Sequence, residues 1–415
     1  MKGFIFKALK AKRGDCVIDG RSYPDFMRDV EDIARGMREG KVEFVNESTK
    51  YEESVHILAA LAAGSIVVPL CNEYGEKRNF MIQEQLRESK LPKDAAVILF
   101  TSGTGGEPKG VVLSEKAIYN NLRAIHDYMG EKKRKILIFR PLIHSAVFTG
   151  ELLYALANGW DIVFWDGPFI PGQLVEYMKS HEVDIAGMTP TQLRIFLRMR
   201  CLPPLKEIIL SGERLTADDA RIFSEMLPSC RFYSVYGLTE CGPRVSALSP
   251  EEFSVYPGSV GRPIKGVRIK IVHEELWVKT KSRMKGYCGK TDLVRDNFHH
   301  GWIKTGDVAR LSDGLLYVLG RKDDMIIRSG MNIYPSEIER VLMRYDGVEE
   351  CVAYGKPDAI YGQKIVIDYV GSCSQEQLAD YAALNLPAYL IPSEYHKKAV
   401  LRRTESGKLR RGKHR

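Results

Sequence analysis

The sequence lacks a membrane-spanning run, a metal-binding cysteine pattern and a Walker phosphate loop, and each absence removes a class of function. Its longest apolar stretch, Ala59 to Cys71, is interrupted by Gly64 and Pro69. It falls short of the roughly 20 apolar residues that a spanning helix needs, so no membrane span is expected. The eight cysteines are scattered without a single CxxC pair, which excludes the usual zinc and dithiol redox spacings. The segment MKGFIFKALKAKRGD carries lysines but no sustained apolar core or small-residue cleavage site, so no signal peptide is expected and cytoplasm is the expected compartment. Lys and Arg (61) exceed Asp and Glu (53), giving +8, yet the basic residues are dispersed except in the closing LRRTESGKLRRGKHR. Without a concentrated basic stripe no nucleic-acid partner is expected; the excess suits small anionic substrates or an acidic carrier protein, and the terminal run reads as a solvated tail.

At 415 residues the chain exceeds what one hydrophobic core serves, and 44% apolar with 27% charged residues is an ordinary globular balance, so two or more domains are expected. What is present centres on Thr101 to Gly110, TSGTGGEPKG, which follows the apolar run Ala95 to Phe100 and precedes Val111 to Leu113. Gly103, Gly105 and Gly106 let backbone N–H groups converge on phosphate oxygens. Thr101, Ser102 and Thr104 add hydroxyl donors, and Lys109 adds a compact positive charge. The flanking apolar runs predict a short strand pair presenting the loop. A surface turn is the competing reading of such a cluster. The order is wrong for a Walker loop, which needs Gly-Lys-Ser/Thr opening a helix.

This loop and its sequel SEKAIYNNL resemble the phosphate-binding signature of the adenylate-forming superfamily, which comprises acyl- and aryl-CoA synthetases, peptide-synthetase adenylation domains and luciferases. The resemblance implies an α/β fold. A large N-terminal domain of layered α/β sheets plus a small β-barrel-like sheet, residues 1–321, would precede a small mobile α+β lid, residues 322–415. Strand, helix and strand patterns along 19–70 agree with α/β layering. The first helix is expected to turn Phe26, Val30, Ile33, Ala34 and Met37 to one side. Only about two dozen residues separate the strand 65–70 from the apolar run before the loop, fewer than family members usually have, so the N-terminal scaffold reads as shortened.

Later segments repeat the resemblance in family order. Arg231 to Arg244 reads RFYSVYGLTECGPR: Tyr236 would stack on adenine, Gly237 would allow close backbone approach, Thr239 would donate to the α-phosphate, and Glu240 would hold Mg²⁺. Ser211, Gly212, Glu213 and Arg214 match the turn that lines the nucleotide and acid pocket. His144 either lines or gates that pocket, or is a packed histidine at a strand end. No acidic residue stands between Arg140 and Gly150, where amino-acid-activating members carry an aspartate, so an acyl or aryl acid without an α-amino group is expected. Alternation of Val267, Ile269 and Ile271, followed by the pair Gly286–Tyr287, reads as the small barrel-like sheet.

In GWIKTGD, Asp307 resembles the ribose ligand, a task suited to two acceptor oxygens; Arg321 resembles a second ribose or phosphate contact, and Asp323 takes the hinge position. Ser336 and Glu339 stand at capping-box spacing inside NIYPSEIE, whose wording is nearest to CoA ligases. Thr404, Ser406, Gly407 and Lys408 match the family's closing motif, which makes Lys408 the expected catalytic lysine. The implied reaction is activation of a carboxylic acid by ATP and Mg²⁺ as an acyl-adenylate, with release of pyrophosphate, then thioester formation on CoA. Two alternatives stay open: loading of the phosphopantetheine of an acyl carrier protein, and an inactive nucleotide-binding relative.

Overall fold

The apolar runs and the capped helices between them assemble as alternating layers. The structure, a computed structural model, describes residues 16–71, 75–87, 89–102, 108–288, 298–403, 409 and 411, without the side chain of Ser102. Two compact units emerge: residues 1–270, 277–305 and 311–317, and residues 271–276, 306–310 and 318–415.

The larger unit contains a nine-stranded sheet. Its inner strands run in the order Arg231–Tyr236, Glu207–Leu210, Ile185–Met188, Lys135–Ile138, Asp161–Phe164 and Val17–Ile18, all parallel. Antiparallel pieces, Ser246–Leu248 with Arg262–Pro263 at one edge and Arg21–Ser22 at the other, complete it. The strands Ile185–Met188 and Glu207–Leu210 are buried at every residue, as parallel strands covered on both faces must be. Local chemistry fixes where helices begin. Thr49 and Glu52 form a reciprocal capping box at the start of Lys50–Ala63, and Gly64 closes that helix with φ 73°. Thr189 and Gln192 do the same for Pro190–Arg198, with Pro190 in its first turn.

The first helix, Tyr23–Ala34, buries Tyr23, Phe26, Met27 and Val30. Phe26 and Val30 face the core as expected and Ala34 and Met37 pack against it half-buried, whereas Ile33 is 43% exposed and Met27 takes an inward place. A second sheet of five strands has the order Gly286–Tyr287, Pro108–Ser114, Ala95–Ser102, Ile66–Pro69 and Val42–Val45. One described helix, Glu76–Arg87, lies in sequence between its strands Ile66–Pro69 and Ala95–Ser102. A third sheet joins Val267–Val272, Glu275–Thr280, Trp302–Ser312 and Phe298–His299, with Leu315–Arg321 beside Trp302–Ser312. Val267, Ile269 and Ile271 are all half-buried, without the clean in–out alternation expected of them.

The smaller unit packs Pro335–Leu342 and Gln375–Asn385 with the three-stranded sheet Val348–Asp358, Gly362–Gly371 and Glu394–Lys397. Ile338, Leu342, Ile365, Ile367 and Leu378 are among the residues of its own hydrophobic core.

Candidate active site

Strands Ala95–Ser102 and Pro108–Ser114 pair antiparallel, with Thr101 opposite Lys109 and Ser102 opposite Pro108. This is the strand pair expected to present the phosphate loop. Gly103, Thr104, Gly105, Gly106 and Glu107 lie outside the described residues. Thr101 Oγ1 donates to the Lys109 carbonyl at 3.5 Å, and both residues are half-buried.

The pair Gly286–Tyr287, expected in the barrel-like sheet, belongs instead to this one. It adds to the free edge of Pro108–Ser114, with Tyr287 opposite Val111 and Gly286 opposite Val112. The consequence is chemical. Tyr287 Oη donates to Glu240 Oε1 at 2.9 Å, and the Met284 N–H donates to the Glu240 carbonyl at 2.8 Å. The strand that flanks the phosphate loop is thereby tied to the Thr-Glu motif more than a hundred residues later in the chain.

Strand Arg231–Tyr236 delivers that motif, and Thr239–Cys241 turns as a short 3₁₀ segment. A Cβ on Gly237 would stand 2.1 Å from the Pro243 carbonyl oxygen, so only glycine permits the chain to double back here. Thr239 Oγ1 and Ser145 Oγ share a hydrogen bond of 3.0 Å. Ser145 follows His144, which starts the short helix Ser145–Val147, is half-buried, and caps nothing with its side chain. The next six residues, Phe148–Leu153, form a π-helix, a geometry that recurs at functional sites.

In the turn after Glu207–Leu210, Gly212 has φ +89°, and Glu213 Oε2 accepts the Thr191 N–H at 3.1 Å. That N–H is one of the donors left over at the start of Pro190–Arg198, so Glu213 holds the helix end as well as standing in the expected turn. Ser211 Oγ receives Arg140 Nη1 and Nη2, each at 3.4 Å.

In the smaller unit Arg321 Nη1 donates to Asp307 Oδ1 at 3.1 Å, and the Gly306 N–H donates to Glu275 Oε1 at 3.0 Å. Asp323 is exposed in the 3₁₀ turn Lys322–Asp324. The expected capping box at Ser336 is not formed. The N-cap is Tyr334, whose side chain caps nothing; Ser336 Oγ donates to the Leu319 carbonyl at 2.8 Å, and Glu339 Oε1 accepts the Ala353 N–H at 2.9 Å. Pro335 already presets the first turn, which frees both side chains for other contacts.

Nor is the basic tail simply solvated. Arg411 Nη2 reaches both oxygens of Glu339, at 2.8 and 2.6 Å, while its Nη1 reaches Asp324 at 3.3 Å. Arg403 pairs with Glu350, and an antiparallel bridge joins Arg403 to Leu409. Thr404, Ser406, Gly407 and Lys408 lie between those anchors in sequence and outside the described residues.

Tyr287, Ser145 and Arg411 are the residues sequence reasoning missed. Motif spacing carries no trace of the first two, because each acts on a motif residue distant in sequence; an alternation of charge between NIYPSEIE and the tail could have suggested the third.

Comparison with known proteins decides the family. The model of the AMP-binding enzyme family matches residues 81–288, and that of the AMP-binding enzyme C-terminal domain matches residues 337–408. The chain is 32% identical to a 2–succinylbenzoate–CoA ligase of Bacillus velezensis over 339 residues, covering 77% of this chain and 68% of the relative. This chain belongs to the AMP-binding enzyme family. A 2-succinylbenzoate–CoA ligase of Staphylococcus aureus is 30% identical over 332 residues, covering 77% of this chain and 66% of that one. Among solved structures, o-succinylbenzoate CoA synthetase from Bacillus subtilis in complex with the acyl-adenylate intermediate OSB-AMP superposes with a TM-score of 0.85. It is 24% identical and covers 99% of this chain and 97% of that one. ATP-bound MatB from Rhodopseudomonas palustris gives 0.86 at 21% identity, covering 99% and 97%. The fold of this AMP-binding enzyme is therefore that of the acyl- and aryl-CoA synthetases: mixed α/β, with a large N-terminal domain and a smaller C-terminal one.

Proposed function

We propose that this AMP-binding enzyme activates a carboxylic acid with ATP as an acyl-adenylate, releases pyrophosphate, and passes the acyl group to the thiol of CoA. The observation that carries the reading is the Tyr287–Glu240 bond, which holds a carboxylate of the Thr-Glu motif to the sheet that bears the phosphate loop. The named relatives act on 2-succinylbenzoate with CoA, which favours an aryl or acyl acid of that kind and CoA as acceptor.

The chemistry sets a charge problem, since a carboxylate must attack the α-phosphorus of a polyphosphate. Thr101, Ser102, Gly103, Thr104, Gly105, Gly106 and Lys109 would hold the phosphates by hydroxyls, backbone N–H groups and one ammonium. Thr239 would donate to the α-phosphate, oriented by Ser145. Tyr236 and Gly237 would pack on the adenine beside Gly212 and Glu213, and Asp307 with Arg321 would bind the ribose. His144 would border the acid.

Mg²⁺ suits the residues present. Among the described residues no cluster of three or more His, Cys, Asp or Glu side chains forms a protein cage, while Glu240 offers a single carboxylate whose Oε1 is already oriented by Tyr287. One carboxylate plus substrate phosphates is the usual Mg²⁺ arrangement, and the ion would supply neutralisation of phosphate charge.

Lys408 would bridge the substrate carboxylate and the α-phosphate. Residues 322–415, as a lid, would then turn about Asp323 to admit the thiol. Cytoplasm, where ATP and CoA are held, is the compartment this chemistry needs.

Acid-dependent ATP–pyrophosphate exchange tests the first step, with CoA and a holo-carrier protein compared as acceptors in the second. Lys408→Ala should lose about 2–4 kcal/mol of transition-state stabilisation, roughly a hundred- to a thousandfold in exchange, while still converting supplied acyl-AMP to thioester. Equal loss of both half-reactions would contradict the role given to Lys408. Failure of exchange with a broad acid panel would favour an inactive relative.

A further inference from the structure

Around the π-helix Phe148–Leu153 lies a cluster of charges that the proposed mechanism does not use. Arg140, Glu151 and Arg244 are 7%, 1% and 1% exposed. Arg140 pairs with Glu151 and also reaches Ser211. Arg244 has no such partner. Its Nη1 donates to the Pro243 carbonyl at 3.2 Å and its guanidinium also interacts with the Tyr128 hydroxyl, while Nε and Nη2 are buried without an acceptor among the described residues. Tyr128 does not compensate it, because burial raises the Tyr128 phenol above its ordinary value and keeps it neutral. Arg140 and Glu151 answer each other, and Arg244 adds a buried positive charge that no carboxylate pairs with among the described residues. A protein rarely leaves a buried guanidinium so, since removing it from water costs several kcal/mol without a counter-charge.

Room has been made for it. A Cβ on Gly150 would stand 2.7 Å from Arg244 Nη2 and 2.8 Å from its Cζ, so the absence of a side chain at this position of the π-helix lets the guanidinium lie there. Gly187 does the same for the neighbouring pair, with a Cβ 2.1 Å from Glu151 Oε1 and 2.7 Å from Arg140 Nη2. Arg140 Nε and Glu151 Oε2 are themselves unpartnered. The cluster is framed by the elements of the candidate site: the turn at Ser211, the segment that follows Thr239–Glu240, and the helix that starts at Ser145. Ser145 touches Thr239, and Gly150 is five residues further along the same continuous helical segment, in its π-helical part.

We infer that Arg244 is the specificity-determining anchor for a second carboxylate on the acid substrate, so that the enzyme activates short diacids. The Arg140–Glu151 pair, neutral as a whole, walls the site and leaves Arg244 as its net charge. This deepens the ligase reading and rests on it. The reacting carboxylate goes to the phosphates near Thr239. The far one takes the Nε and Nη2 donors of Arg244 in a charge-assisted pair, the geometry for which a guanidinium is suited.

The test pairs each diacid with a partner lacking one charge, in ATP–pyrophosphate exchange. 2-Succinylbenzoate is compared with 4-oxo-4-phenylbutanoate and 2-butanoylbenzoate, and glutarate and adipate with their monomethyl esters. In the unmodified enzyme, loss of the far carboxylate should lower kcat/KM about a hundredfold or more, as expected when one partner of a buried charge pair is removed. In Arg244→Gln that discrimination should shrink to within about threefold, and Arg244→Lys should retain part of it. Exchange supported equally by diacids and their single-charge partners in the unmodified enzyme overturns the proposal and leaves the ligase reading standing. A discrimination unchanged in Arg244→Gln also overturns it. Exchange with no acid at all overturns the ligase reading and this proposal with it.

Discussion

Two arginines of the large unit are almost equally buried and very differently treated. Arg134, 4% exposed, is fully answered. It forms a two-pronged pair with Glu207, donates to the carbonyls of Lys132 and Met129 at 3.0 and 3.3 Å, and lies 5.0 Å over the ring of Trp160. Arg244, 1% exposed, has the Pro243 carbonyl and the neutral Tyr128 hydroxyl but no carboxylate among the described residues, and two of its nitrogens are left without an acceptor. The first is a closed structural knot that ties Lys135–Ile138 to Glu207–Leu210. The second holds its hydrogen-bonding capacity in reserve beside the elements that carry the candidate site. Burial alone does not separate a structural charge from one kept for a ligand; the count of partners does.

The sharpest way to break that contrast is to make Arg134 resemble Arg244. Glu207→Ala strands a buried guanidinium and should cost about 3–5 kcal/mol of folding free energy, read from a denaturant midpoint. A loss below about 1 kcal/mol would mean that the structural pair matters no more than a surface one.

A smaller effect is expected at Tyr287, whose hydroxyl orients Glu240. Tyr287→Phe should lower kcat/KM about five- to tenfold, the worth of one hydrogen bond to a charged group of about 1–1.5 kcal/mol, with a higher Mg²⁺ concentration needed for half-maximal rate. An unchanged Mg²⁺ dependence would separate the bond from the metal.

The smallest effect lies on the surface of the C-terminal unit, where Lys364, then Lys356 and His396, hold Glu394 down to about 2 from its ordinary 4.5. A carboxylate depressed in the folded state stabilises above its unfolded value, and this contribution is lost as pH falls from about 4.5 towards about 2. Glu394→Gln should flatten that part of the acid limb in a stability–pH profile by less than about 1 kcal/mol, because the side chain is partly exposed and screened. An identical limb in both proteins would assign acid sensitivity elsewhere.

How much of this was legible in the sequence follows from how far each interaction reaches along the chain. The strand pair at Ala95–Ser114, the cap at Thr189–Gln192 and the strand before Tyr236 depend on neighbours in sequence, and periodicity with capping chemistry locates them. The Tyr287–Glu240 bond depends on which sheet takes Gly286–Tyr287 as its edge, and two residues of strand carry no pattern that names a partner. The Ser336 capping box failed for a related reason. Its spacing was right, but the Leu319 carbonyl and the Ala353 N–H, inside neighbouring strands, competed for the same side chains and won. Arg244 was visible only as the last residue of a motif-bearing stretch. Its significance rests on burial and on the missing counter-charge, which no single sequence states.

The most direct measurement is the denaturant midpoint of Arg244→Met beside that of the unmodified enzyme, with AMP present throughout, with and without 2-succinylbenzoate. The account predicts that without the diacid the variant is at least as stable, since an unmatched buried charge has gone, and that the diacid raises the midpoint of the unmodified enzyme alone. A variant that unfolds well below the unmodified enzyme, with both proteins gaining equally from the diacid, would contradict it and make Arg244 one more structural arginine.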